Sequence, residues 1–107
     1  MRAGRITVST RAFEMVDVPT PDAAAGQVRI KVGAAGVCLS DVHFLEGILS
    51  PGYLSGDCVT LGHEVAGTID QIGAGVTTSA IGDRVVVIAG ERNAHAQITT
   101  MGFDYDG

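Results

Sequence analysis

The sequence has no tryptophan, two tyrosines, three phenylalanines and only two cysteines among 107 residues. Two cysteines cannot form the disulfide framework of a small secreted domain, so we expect free thiols in a reducing compartment. No apolar run approaches the roughly 18 residues of a membrane span, and the N-terminus has no apolar signal core. We therefore expect a cytoplasmic protein that does not bind membranes.

Basic residues are also scarce. Seven Lys and Arg against 12 Asp and Glu give a formal net charge of −5, and the basic residues are dispersed along the chain. Nucleic-acid-binding proteins usually carry a basic face, which this sequence does not indicate. We expect no nucleic-acid partner.

Fifteen glycines with scattered valines and isoleucines indicate short strands joined by tight turns in a single domain. A short helix is expected over residues 40–46, capped by Ser40, and an irregular loop follows over 48–57. Together these features predict a small β barrel or sandwich. Strands are predicted over residues 5–10, 13–18, 27–35, 64–72, 84–89 and, weakly, 94–100.

Some of these segments carry more specific expectations. Residues 5–10 and 13–18 should pair as a hairpin, and residues 27–35 alternate like a half-buried antiparallel strand. Gly67 is expected at a bulge or a close backbone contact. Residues 84–89 are continuously apolar, so we expect them to be buried on both faces.

Side chains able to bind a metal occur where strands end. Cys38 follows the clearest strand, and His63 and Glu64 come 25 residues later. Thiolate, imidazole and carboxylate are the ligands that zinc prefers, so this set could form one metal site. The alternative is a packed Cys38 thiol and a His63 hydrogen-bonded in the core.

Polar side chains beside Cys38 could support such a site. Ser40 and His43 could relay a proton from a bound alcohol, and Asp41 could accept the free N–H of a ligating histidine. The alternatives are helix capping for Ser40 and Asp41 and an ordinary surface position for His43.

Four short segments are distinctive in their order and relative spacing. They are Gly36-Val37-Cys38-x-Ser40-Asp41-x-His43, Leu61-Gly62-His63-Glu64-x-Ala66-Gly67, Gly73-x-Gly75-Val76 and Gly82-Asp83-Arg84-Val85. As a set they resemble the medium-chain zinc-containing alcohol dehydrogenase family, over roughly residues 1–90. The resemblance implies a mainly β, GroES-like, partly open barrel with one or two short helices. It also implies hydride transfer between an alcohol carbon and NAD or NADP.

The resemblance implies roles for the metal ligands. Cys38 and His63 would bind one catalytic zinc, and Glu64 matches the family glutamate behind the metal that can act as an alternative ligand. Asp41 matches the acidic residue that orients the ligating histidine.

It also implies a proton relay. Ser40 matches the family hydroxyl that takes the alcohol proton, and His43 matches the histidine that often ends the relay. Small-molecule alcohols and aldehydes are the implied substrates.

The sequence departs from the family in what it does not contain. Gly73-Ala74-Gly75 lacks the third glycine of a dinucleotide-binding turn and follows no βαβ start, so it is not a cofactor loop. We expect residues 1–107 to be the N-terminal part of the GroES-like catalytic domain, with the Rossmann domain and the third zinc ligand absent. Such a piece should be inactive alone.

Two other departures concern metal ligands. Residues 90–107 contain no cysteine, which excludes the family's four-cysteine structural zinc there, and His95 in this stretch should be exposed. Cys58 matches no family ligand and is expected to be a packed loop thiol, with a substitute third ligand as the alternative.

The leading hypothesis is therefore a part of a zinc-dependent, NAD(P)-linked alcohol dehydrogenase that interconverts alcohols and aldehydes or ketones. The zinc-free reductase branch of the superfamily is a second hypothesis, although it gives no reason for the ligands. A stand-alone GroES-like binding or assembly module is the third. We also expect a homo-oligomer, and self-association through an exposed strand edge.

Overall fold

A computed structural model describes residues 1–106 and is mainly β, as predicted. No helix among these residues is both long and apolar enough to cross a membrane. The strands are β1 (Arg2–Thr7), β2 (Ala12–Asp17), β3 (Val28–Ala35), β4 (Cys58–Thr60), β5 (Val65–Ile72), β6 (Arg84–Val86), β7 (Gly90–Arg92) and β8 (Ile98–Thr100), with helix α1 (Leu39–Leu45) between β3 and β4.

The strands form three antiparallel sheets. The first has the order β2-β1-β4 and the second β3-β5-β6, while β7 and β8 form a hairpin. No closed barrel is formed by residues 1–106, which agrees with the predicted partly open GroES-like fold. The predicted β1–β2 hairpin and the strands β3 and β5 are confirmed.

The main core cluster holds α1 against the first sheet. Ile6 from β1, Val59 from β4 and Phe44 from α1 are completely buried and touch one another. Burying a side chain of this size contributes roughly 1.5–3 kcal/mol to stability. This contact fixes the helix that follows Cys38, and so it also fixes the candidate site.

The cap of α1 differs from the prediction. Cys38, with φ −94° and ψ 155°, is the N-cap residue, and Ser40 lies inside the helix. The Asp41 carboxylate accepts a hydrogen bond from the Cys38 backbone N–H at 2.9 Å. This bond gives a partner to a backbone donor at the start of the helix. Ser40 thus has its hydroxyl free for other contacts.

The expectation that residues 84–89 are buried on both faces is wrong. The strand ends at Val86, and Val86 and Ile88 are 77% and 89% exposed. The reason is topological, because β6 is the outer strand of its sheet and pairs only with β5 within residues 1–106. A short apolar run does not reveal whether its strand is central or at an edge.

Two strands were not predicted, and a third is shorter than predicted. β4 and β7 have three residues each, and the weak strand expected over 94–100 is reduced to β8, which pairs with β7. Elements of this length carry little periodicity, so their formation depends on available partners.

Gly67 lies at a close backbone contact, as predicted. It pairs with Val32, and the register shifts between Val32 and Ala34, which makes β3 bulge there. A Cβ on Gly67 would overlap the Lys31 carbonyl oxygen and lie 2.7 Å from Ile30 Cγ2. The main pairing of the second sheet therefore requires glycine at this position.

We expect Gly67→Ala to lower the free energy of unfolding by about 2 kcal/mol, because the added methyl group must push β3 away from β5. Urea unfolding followed by circular dichroism measures the loss. Gly52→Ala is the matched control, since no atom lies within 4 Å of a Cβ there. An equal loss in both variants would contradict this explanation.

Self-association of the chain stays a prediction, and the exposed edge of β6 is the surface through which we expect it. Charged residues on an edge strand oppose pairing with a second chain. Val86→Lys with Ile88→Lys should therefore shift sedimentation equilibrium toward the monomer, whereas Ile48→Lys, at a 65% exposed loop position outside every strand, should not. A wild-type chain that is monomeric at high concentration would contradict the prediction.

Candidate metal centre

The pairing of β3 with β5 brings the two predicted halves of the site together. Ala35 at the end of β3 is opposite Val65 at the start of β5. Gly36 extends this pairing, because its N–H donates to the Glu64 carbonyl at 2.8 Å. The residues just after β3 therefore lie beside the residues just before β5.

Cys38, His63 and Glu64 form a cluster of metal-binding side chains. Their ligand atoms all lie within 4.8 Å of one another; Cys38 and His63 are half-buried, and Glu64 is exposed. The structure thus brings together the three ligands that the sequence predicted. Thiolate, imidazole and carboxylate form a donor set suited to zinc.

Glycine at position 36 makes room for the Glu64 side chain. A Cβ on Gly36 would overlap Glu64 Oε2 and lie 3.1 Å from its Cβ. The carboxylate therefore occupies space that another residue would fill. The donor chemistry and this recess together fit a zinc ion held by the cluster.

Asp41 contacts both halves of the cluster. Its side chain is buried, and while Oδ2 accepts the Cys38 N–H, Oδ1 lies 3.5 Å from His63 Nδ1. These last two atoms are buried without a hydrogen-bond partner within residues 1–106. The distance suits an ion pair but is long for a hydrogen bond, so a small approach would let Nδ1–H donate to Asp41.

Ser40 lies on the other side of the His63 ring. Its Oγ is 3.2 Å from His63 Nε2, and both residues line a cleft of about 270 Å³. His43 is half-buried in the same helix, but its side chain makes no hydrogen bond or ion pair with any of residues 1–106. The structure brings Ser40 to the cluster, whereas the relay to His43 stays a prediction.

Cys58 and His95 lie apart from the cluster. The expectation that Cys58 is a packed loop thiol is wrong, because Cys58 is exposed and begins β4, opposite Thr7. It does not join the metal-binding group. His95 is exposed in the turn between β7 and β8, as predicted.

Sequence reasoning missed the segment over residues 101–106, which packs over the site. The Phe103 ring lies 5.1 Å from the Phe44 ring, stacked on it, and 5.2 Å from the His63 ring. Burial, together with the Glu91 carboxylate, raises the pKa of the Tyr105 phenol above its ordinary value. The aromatic residues of this segment were the available signal, but they have no strand or helix periodicity.

This fold and this cluster define a GroES-like β domain with a candidate metal centre. The alcohol dehydrogenase GroES-like domain family matches residues 24–105. The chain belongs to this family, and with it to the medium-chain alcohol dehydrogenases that its motifs resemble.

Individual relatives are consistent with this family assignment. The chain is 36% identical over 110 residues to an NAD-dependent alcohol dehydrogenase of Sulfurisphaera tokodaii, covering 98% of this chain and 32% of the relative. The 2R,3R-butanediol dehydrogenase of Bacillus subtilis superposes with a TM-score of 0.82 at 26% identity, over 97% of this chain and 34% of that one.

A third comparison concerns a Sinorhizobium meliloti protein described as a zinc-binding dehydrogenase, whose structure has bound NADP. It superposes with a TM-score of 0.85 at 25% identity, over 99% of this chain and 33% of that one. The chain thus spans about a third of the length of these proteins.

We expect the chain to bind zinc, and a Cys38→Ser, His63→Ala double variant to lose more than about a hundredfold in affinity. The reason is that removing even outer-shell partners of metal ligands costs 10–100-fold. Competition with a chromophoric chelator measures the affinity. The Cys58→Ser, His95→Ala variant changes the same residue types outside the cluster and should bind like the wild type; an equal loss there would contradict the site.

Proposed function

We propose that this chain is the N-terminal part of the catalytic domain of a zinc-dependent, NAD(P)-linked oxidoreductase that interconverts alcohols and aldehydes or ketones. The observation that carries the proposal is the Cys38–His63–Glu64 cluster beside a cleft containing the Ser40 hydroxyl. The names of the relatives support the reaction class.

Cys38 and His63, with Glu64 as a further or alternative ligand, would hold the zinc ion. When bound, zinc supplies a Lewis acid that polarises the oxygen of an alcohol or carbonyl substrate. The ligands come from the ends of two paired strands and from a helix start, so the scaffold positions them before the metal binds.

Asp41 would orient both ligands. Its hydrogen bond to the Cys38 N–H fixes the backbone that carries the thiol, and its Oδ1 faces His63 Nδ1. A proton held on Nδ1 leaves Nε2 with the lone pair needed for coordination. Removing the carboxylate would therefore loosen two ligands at once.

Ser40 would handle the substrate proton. A serine hydroxyl both donates and accepts, so it can accept the proton of an alcohol in the cleft while donating its own onward. His43, one turn further along α1, is the proposed next acceptor. Because no hydrogen bond joins the two side chains, this second step would need a water molecule or a side-chain movement.

The proposal assigns the alcohol half of the reaction to this chain. Residues 1–106 contain no Gly-x-Gly-x-x-Gly turn for a dinucleotide, so NAD or NADP would be bound by another part of the protein. We therefore expect no turnover by residues 1–107 alone. A cytoplasmic location and a homo-oligomeric assembly stay predictions.

The role of Ser40 can be tested with cobalt in place of zinc, because cobalt has visible absorption bands that report ligands. We expect 2R,3R-butanediol to shift these bands in the wild type. Ser40→Ala should weaken this binding about tenfold, which corresponds to the loss of one hydrogen bond. Metal affinity should change little, because Ser40 is outside the ligand set.

Ser40→Thr is the matched control, since it keeps the hydroxyl and should retain alcohol binding. Equal binding by the alanine and threonine variants would contradict a role for the hydroxyl. Absence of metal affinity in both this chain and the full-length protein would overturn the whole proposal and favour the GroES-like binding module.

A further inference from the structure

The cleft beside the metal centre has three walls. Helix α1 and the segment before β5 supply the reactive side, and a loop and the segment over residues 100–104 supply the others. The lining residues are Ser40, His63, residues 50–52, Thr100, Phe103 and Asp104. The loop wall faces Ser40 and His63, so its position decides how much room a substrate has.

This loop has no helix or strand of its own. Residues 47–57 connect α1 to β4, and charged side chains from other elements hold the loop. Arg11 holds its first part by donating to the Leu49 carbonyl at 3.3 Å and to Ser50 Oγ at 2.9 Å.

Asp104 holds the tip of the loop. Its Oδ1 accepts the backbone N–H groups of Gly52 and Tyr53, both at 3.0 Å, and its Oδ2 accepts the Thr100 N–H at 3.0 Å. No other acceptor takes the Gly52 or Tyr53 N–H within residues 1–106. One carboxylate therefore connects the loop to the end of β8.

The segment that carries Asp104 is itself fixed to the site. A Cβ on Gly102 would lie 2.6 Å from the Gly62 carbonyl oxygen, so the two backbones are in close contact. Phe103 stacks on Phe44, which belongs to the main core cluster, and contacts the His63 ring. Asp104 is thus attached to the core on one side and to the loop on the other.

We propose that Asp104 is a positioning residue that holds the 50–53 loop as a wall of the cleft and thereby limits access to Ser40 and His63. Its relevance to substrate binding rests on the function proposed above. The carboxylate accomplishes this because it can accept from three N–H groups at once, with two oxygens that point to different elements. An asparagine offers only one such oxygen.

Two measurements on the whole chain test this role. Amide hydrogen exchange at Gly52 and Tyr53 should be about tenfold faster in Asp104→Asn, because the loop loses part of its anchor, and faster still in Asp104→Ala. Carbethoxylation of His63 by diethyl pyrocarbonate, followed by mass spectrometry, should accelerate in the same order. His95, exposed in the turn between β7 and β8, provides the internal reference and should react at a constant rate.

Asp106→Asn is the matched control. Asp106 belongs to the same segment, but its carboxylate accepts the Thr60 N–H and pairs with Arg5 instead of the loop. Exchange at Gly52 and Tyr53 should stay as in the wild type, and protected amides in β3 and β5 report that each variant is folded.

Unchanged exchange at Gly52 and Tyr53 in Asp104→Ala would overturn the proposal. So would faster loop exchange with an unchanged His63 reaction rate, since the loop would then not limit access. Neither readout needs bound metal, so a failure of the full-length protein to bind zinc would overturn the proposed function without affecting this test.

Discussion

The antiparallel pairing of β3 with β5 is the constraint on which the rest of the site depends. Cys38 and His63 are 25 residues apart, and the opposition of Ala35 and Val65 places them side by side. The pairing tolerates no side chain at Gly67, where the Lys31 carbonyl of β3 leaves no room for a Cβ. The metal-binding cluster is therefore a consequence of strand register and of one glycine.

Helix α1 adds the second constraint, through two residues on one face. Asp41 and Phe44 are three positions apart and are the buried residues of the helix. Burying a carboxylate is unfavourable unless it is hydrogen-bonded, and the apolar burial of Phe44 against Ile6 and Val59 offsets that cost. The core contact thus keeps Asp41 inside the protein, where it can face Cys38 and His63.

The sequence predicted the parts of this arrangement that local pattern determines. Alternation in residues 27–35 identified β3, and a thiol placed directly after a strand indicated a site at its end. Prediction from the sequence failed for features that depend on partners far away in the sequence. The run after Arg84 is apolar on all sides, yet it is an edge because nothing in residues 1–106 pairs beyond it. Ser40 is the usual capping residue type, but the buried Asp41 makes Cys38 the cap.

The segment around Phe103 was beyond sequence reasoning for the same reason. Its position is fixed by the Gly62 backbone, by the Phe44 and His63 rings and by loop amides, none of which is close in sequence. The reactive side of the cleft rests on strands and a helix, whereas the opposite wall is a loop to whose residues 49–53 Arg11 and Asp104 are hydrogen-bonded. This division allows the wall to vary with the substrate while the strand register keeps the ligand geometry constant. Substitutions in the loop should therefore alter the shape of the cleft at little cost to the metal centre.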